Sequence, residues 1–385
     1  MKRISTLLMA AAIAVPACSS SDSTPTPGDD EGSGSGSGDE WDQELAKREF
    51  DYSAALRIAA LRLTGDLPTM TEINTVATPT DLAAKKTAYE TLVTDYMSRP
   101  TFQREMFYFW RDTFKMGESA ELDTAPALAA QLAAENGSYM NLLTQNANNC
   151  PTFNEGTGVF TPAECAGNNP KAGVLSNPGA MKQFFGNFAF RRVKWVQETF
   201  DCAKFPIELG GVATEVGGPS PYVGDWPFDS IAGTANGGRV NFQDVSAVIC
   251  ANCHTTMNHI APLFANFDDQ GAFQANISVP TPLEGAPLAV LSDYLPAGEV
   301  TSWRFQQPVA DIPALGAAMA ADPDIAKCGV ARMWNWALGK TDIVDTLQDV
   351  PAEVIQTQID TFTANGFKMK DLIFAVYTSD DFTKF

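Results

Sequence analysis

Cys250-Ala251-Asn252-Cys253-His254 constrains this chain more than any other stretch. In a C-x-x-C-H string two thiols stand three residues apart. On one turn each can add to a haem vinyl group, and the next residue then falls beneath the iron as proximal ligand. In an exported bacterial chain the string therefore reads as attachment of one covalent haem c. Cys250 and Cys253 are the anchors and His254 is the iron ligand. Three other chemistries use parts of the pattern. A thioredoxin-like dithiol needs a βαβ frame, which the surrounding sequence does not supply. A zinc site needs a further ligand pair, and the chain holds only two histidines, His254 and His259. A plain Cys250–Cys253 disulfide would suit a degenerate relative. The same histidine count excludes multi-haem cytochromes with bis-histidine ligation.

The N-terminus argues for export. Lys2 and Arg3 precede an apolar run from Ile4 to Ala17, too short to span a bilayer but suited to a signal-peptide core. The run ends Val15-Pro16-Ala17-Cys18, which resembles a bacterial lipobox with Pro16 at a position usually held by a small residue. Residues 1–18 thus read as a lipoprotein signal peptide, with Cys18 lipidated; an ordinary signal peptide cut near Cys18 is the alternative. Residues 19–40 are Ser, Thr, Pro, Gly and Asp, including Gly32-Ser33-Gly34-Ser35-Gly36-Ser37-Gly38. They cannot bury a core and, as a flexible coil, would reach roughly 25 Å. Ser19 and Ser20 lack the aspartate associated with inner-membrane retention, so the expected address is the outer membrane, facing the periplasm or the cell surface.

Seven cysteines occur in all. With Cys18 assigned to lipid and Cys250 and Cys253 to haem, Cys150, Cys165, Cys202 and Cys328 remain. An oxidising compartment permits disulfides among them. Cys150 and Cys165 bracket a Pro/Gly/Asn-rich loop, leaving Cys202 with Cys328; the other pairings of the four stay open.

Charge narrows the partners. Asp and Glu outnumber Lys and Arg 46 to 26, a net charge of −20. Such a chain lacks the cationic face that nucleic acid requires, and is not held to membranes by attraction to anionic lipid. It suits a redox partner with a basic docking face, its membrane contact being the N-terminal lipid.

The segment from Cys250 to Gly271, with Phe267-Asp268-Asp269-Gln270-Gly271 at its end, resembles a module of the planctomycete-type secreted cytochrome families: C-x-x-C-H, a short Pro-containing stretch, then aromatic-Asp-x-x-Gly. Upstream, Leu61-Arg62-Leu63-Thr64-Gly65-Asp66-Leu67-Pro68-Thr69 resembles their "L-T-G-x-P-P-T" opening, with Leu67 for the first proline. Residues 172–178 (Ala-Gly-Val-Leu-Ser-Asn-Pro) and 192–196 (Arg-Val-Lys-Trp-Val) resemble a linking module, with Val193 where a glycine is usual. Cys328-Gly329-Val330-Ala331-Arg332, Ala337-Leu338-Gly339-Lys340 and Ser379-Asp380-Asp381-Phe382 resemble a closing module. The likeness is collinear over nearly all of residues 50–385. These modules are mostly of unknown function, so the resemblance implies architecture more than activity.

Likeness to class I cytochromes c suggests further roles. A methionine well downstream of the motif commonly supplies the sixth iron ligand, which points to Met319 or Met333, although methionine at helical spacing is more often core filler. His259 stands about 140° around a helix from His254 and reads as a surface residue. A proline carbonyl after the motif would accept the proximal histidine proton; Pro262 is placed for that. Phe264, Phe267, Phe273, Tyr294, Trp303, Phe305, Trp334 and Trp336 could line the haem. Arg239 and Arg304 could meet its propionates or form surface ion pairs.

The expected fold is mainly α: a helical N-terminal region, then a helical cytochrome c-like haem region, with long irregular Gly/Pro-rich connections. Residues 41–205 form the first domain, 206–239 the connection and 240–385 the haem-binding and C-terminal part. Leu56, Ala60 and Leu63 mark a helix stopped by Pro68. Phe102, Met106, Phe109, Trp110 and Phe114 mark a core stripe. Ile355, Ile359 and Phe362 mark a late helix, and residues 372–377 another. The function expected is electron transfer by a membrane-tethered mono-haem cytochrome. A peroxidase-like haem enzyme with an open iron, and a tethered non-haem binding or assembly module, are the alternatives. No Gly-x-Ser-x-Gly elbow, phosphate loop or paired-carboxylate signature is present.

Overall fold

A computed structural model of the chain describes residues 40–204, 242, 248–280, 287–304, 307–343 and 350–385. Cys18, the tether as far as residue 39, the Gly/Pro-rich stretch 206–239, Arg239 and Phe305 lie outside these residues. Residues 1–48 and 49–385 are separate units. The described part of the first is helix α1 (Glu40–Leu45) and the turn after it.

The second unit is mainly helical. Asp51 caps α2 (Tyr52–Thr64), its carboxylate accepting from the backbone N–H of Ser53 and Ala54. Leu56, Ala60 and Leu63 are all buried, as the periodicity predicts. The stop comes earlier than Pro68: Gly65 adopts a left-handed φ of 73° and closes the helix onto the Leu61 carbonyl. Thr69 and Glu72 then form a capping box for α3 (Met70–Ala77). Helices α4 (Leu82–Tyr96), α5 (Pro100–Phe114) and α6 (Thr124–Ala134) complete the first layer, with α4 and α5 against α2 and α6 against α5. Phe102, Met106, Trp110 and Phe114 are buried on α5, while Phe109 is half-buried.

A short helix α7 (Asn141–Thr144) leads to the hairpin of β1 (Thr152–Asn154) and β2 (Val159–Thr161), with Phe153 opposite Phe160. The Cys150–Cys165 disulfide closes this hairpin at its base. Helix α8 (Pro178–Gln183) is capped by the buried Asn177. Helix α9 (Phe190–Val196) runs into a π turn at Gln197–Asp201. The motif-bearing helix is α10 (Val248–Phe264). The strand pair β3 (Ser302–Trp303) and β4 (Gln307–Pro308) precedes α11 (Ile312–Ala320) and α12 (Pro323–Ala337). The last three helices are α13 (Ala352–Ala364), α14 (Met369–Tyr377) and α15 (Asp380–Thr383). The two expected late helices are α13 and α14.

The ends of the unit meet. Glu49 and Phe385 exchange backbone hydrogen bonds of 3.0 and 2.9 Å, and Tyr89 on α4 donates to the Tyr377 carbonyl at 2.6 Å. One hydrophobic cluster runs from Tyr52 to Phe382. The second disulfide, Cys202–Cys328, ties the end of the π turn to α12 across 126 residues of sequence. Arg304 lies beside it. Its guanidinium is held by Asp201 at 2.6 Å, by Asp324 at 3.1 Å and by Asp322, so it is engaged in ion pairs. No helix among the described residues is long and apolar enough to cross a membrane.

Candidate haem-attachment site

Cys250, Cys253 and His254 occupy one turn of α10. The two disulfides use Cys150, Cys165, Cys202 and Cys328, so neither draws on the motif. Cys253 is half-buried and not disulfide-bonded. Burial pushes its thiol above the ordinary value, and the nearby Lys194 charge opposes that rise.

The imidazole of His254 is held on three sides. Phe242 stacks on it with ring centroids 4.4 Å apart and planes 12° from parallel. Phe190, the first residue of α9, meets it edge-on at 4.8 Å. Asn258, one turn along α10 and buried, lies 3.1 Å from Nδ1 through its Oδ1. The other end of the same amide fixes its orientation, because Asn258 Nδ2 donates to the Phe242 carbonyl at 2.6 Å. Oδ1 can only accept, so Nδ1 must carry the proton. Nε2 is left with its lone pair and has no partner among the described residues. Burial pulls the imidazole down to about 4, the Asn258 bond opposing, which keeps the ring neutral at ordinary pH. A neutral imidazole protonated at Nδ1 is the form that ligates a metal through Nε2.

Pro262 does not take the role expected of it. It lies inside α10, and its carbonyl accepts from Ala265 N at 3.3 Å, while the His254 proton goes to Asn258. A side chain one turn away reaches Nδ1, whereas a carbonyl eight residues along the same helix is spent on the helix terminus. His259 pairs with Glu299 at 3.1 Å. Met319 and Met333 are both buried in the hydrophobic core, on α11 and α12. Met333 lines a small cavity with Trp110, Tyr139 and Met369. Of the aromatics expected around the site, Tyr294 packs edge-on against Phe190 at 5.9 Å. Phe264, Phe267, Trp303 and Trp334 are buried in the common core.

Phe190, Phe242 and Asn258 were missed by sequence reasoning. Asn258 had a signal, being four residues after His254 on a helix. Phe190 had a weaker one, two residues before Arg192. Its entry is marked by Phe188 and Ala189, two consecutive non-glycine residues at φ 57° and 59°. Phe242 had none.

Segments outside the motif support its helix. Arg192 is fully buried and donates to four backbone carbonyls: Met181 on α8, and Phe264, Phe267 and Asp268 at the end of α10. It thus satisfies carbonyls that a helix end leaves open. Asp268 closes the following turn by accepting from Gln270 N and Ala272 N, each at 2.9 Å. Gly271 has φ 75°, and a Cβ there would lie 2.0 Å from the Pro178 carbonyl oxygen, so no larger residue fits. The Asp268–Asp269 pair is therefore a turn. Among the described residues no group of three or more His, Cys, Asp or Glu is gathered as a metal site.

Comparison with protein-family models, with curated proteins and with solved structures finds no match to this chain.

Proposed function

We propose that the chain is a mono-haem c-type cytochrome that transfers electrons while tethered to the outer membrane by lipid on Cys18. One observation carries the reading. In the only C-x-x-C-H string of the sequence, the histidine is fixed by Asn258 and Phe242 in the tautomer that leaves Nε2 for a metal. Cys250 and Cys253 would hold the group through thioethers and His254 would ligate its iron. Haem c, when bound, supplies a one-electron ferric/ferrous couple. Asn258 keeps the proton at Nδ1, and Phe190 and Phe242 hold the ring plane. The chain's charge of −20 suits a redox partner with a basic docking face.

The test is a pyridine haemochrome spectrum of protein made in a host with haem c maturation and extracted with acid-acetone. A retained c-type spectrum that vanishes in Cys250→Ala/Cys253→Ala supports the proposal. Colourless protein refutes it and leaves the chain as a tethered binding module. A bound but high-spin haem would instead favour the open-iron enzyme.

A further inference from the structure

A cleft of about 670 Å³ opens between α2, α5, the end of α12 and the loop that follows it. It shares no residue with the surroundings of His254 described above. Two segments singled out in the sequence, 61–69 and 337–340, meet here from opposite ends of the chain: Leu61 and Arg62 face Leu338, Gly339 and Lys340 across the cleft. The approach is close. A Cβ on Gly339, whose φ is 68°, would lie 2.9 Å from the Arg62 guanidinium.

Its charges are not balanced. Arg332 is satisfied by Asp342 at 2.6 Å, and Glu105 lies 3.5 Å from Arg104. Arg57, Arg62 and Lys340 have no ion-pair partner among the described residues, and Asp112 is the remaining carboxylate of the lining. A chain of net charge −20 thus gathers three unpaired cations at one cavity. The floor is apolar and aromatic. Phe109 and Trp336, both half-buried, meet at 5.2 Å with planes 53° apart, and Ile58 lies beside them. Asn335 also lines the cleft. It is 2 % exposed and its Nδ2 donates to the Thr341 carbonyl, so it forms wall and offers the cavity no accessible oxygen.

We propose that this cleft binds a small aromatic carboxylate. The carboxylate meets Arg62 and Lys340, and the ring lies against Phe109 and Trp336. A sugar acid fits less well: its many hydroxyls would need several partners, and the floor offers aliphatic and aromatic carbon.

Isothermal titration of the full mature protein with benzoate, phenol and galacturonate tests this. Benzoate should bind, with phenol weaker by about tenfold or more for the lost charge. Arg62→Gln/Lys340→Gln, two changes in the cleft lining, should weaken benzoate by about tenfold or more without lowering the unfolding temperature. The proposal fails if benzoate gives no heat at millimolar concentration, if the double variant binds it unchanged, or if phenol or galacturonate binds as tightly.

Discussion

Arg192→Met asks whether the end of α10 is held by one buried guanidinium. Arg192 is fully buried and makes five hydrogen bonds to four carbonyls, with N···O distances of 2.9 and 2.7 Å to Met181, 2.9 Å to Phe264, 2.7 Å to Phe267 and 2.8 Å to Asp268. Each bond from a charged donor contributes about 1.5–3 kcal/mol, and each carbonyl left dry costs about 1–3 kcal/mol. Against this stands the desolvation of the cation, several kcal/mol, which is also why the guanidinium is pulled down to about 10. Methionine removes the charge and recovers that desolvation, but takes a donor from four carbonyls: those of Phe264 and Asp268 keep a backbone N–H at 3.3 and 3.2 Å, while those of Met181 and Phe267 are left facing carbon. The net loss should be about 4 kcal/mol, the scale for removing one partner from a buried charged network. For a unit spanning 49–385, at ~2.1 cal/mol/K per residue, that lowers Tm by about 6 °C. Arg192→Lys, a point charge with three donors, should recover less than about half of it. Thermal unfolding followed by circular dichroism at 222 nm under non-reducing conditions reads both variants. A loss below about 1 kcal/mol for Arg192→Met would show that water or shifted backbone replaces the guanidinium, and that the anchoring role is wrong.

Three further outcomes are expected. In the haem-loaded protein, Asn258→Leu removes the acceptor at Nδ1 and so weakens the imidazole as a donor to iron. The midpoint potential should rise in spectroelectrochemical titration, and a fall or no change would count against the tautomer assignment. Loop-closure entropy ranks the disulfides: Cys202→Ser/Cys328→Ser, which frees a separation of 126 residues, should cost about 5 kcal/mol, and Cys150→Ser/Cys165→Ser, with 15, about 3 kcal/mol. Urea midpoints in the reverse order would show that local packing outweighs chain entropy. Asp201 is pushed up to about 7, by burial first, with Asp322 and Asp324 adding to it and Arg304 opposing. Its folded value exceeds its unfolded one, so the native state binds the extra proton between roughly pH 4 and 7 and stability falls as pH rises through that window. Asp201→Asn should therefore gain on wild type between pH 5 and pH 8 in urea titrations; a difference independent of pH would exclude the shift.

The helices were legible where burial is one-sided and local. Leu56, Ala60 and Leu63, and the Phe102–Phe114 stripe, announce their faces because a helix repeats its contacts every three to four residues. The stop of α2 was misplaced because Gly65, in a left-handed cap, acts before Pro68 can. At the site, the motif itself was legible and its supports were not. Pro262 follows from analogy with class I cytochromes c, whereas Asn258 wins by reach along the same helix. Phe242 and Phe190 come from other segments, and contacts between distant segments leave no period in the sequence to read.

The supports also bear on how the site would be tuned. Asn258 accepts from His254 and donates to the Phe242 carbonyl, and the Phe242 N–H in turn donates to the Asp293 carbonyl at 2.9 Å. The imidazole is thus wired through one amide to backbone on both sides, so its orientation is set by the fold and does not wait for a bound group. An amide oxygen is a weaker acceptor than a carboxylate. It polarises the Nδ1–H bond less, lends less charge to the ring, and stabilises the ferric state less than an aspartate would. On the proposed reading, Asn258 therefore biases the couple toward a higher potential than the same cradle with a carboxylate. It does so with no additional negative charge in the interior of a chain that is already acidic.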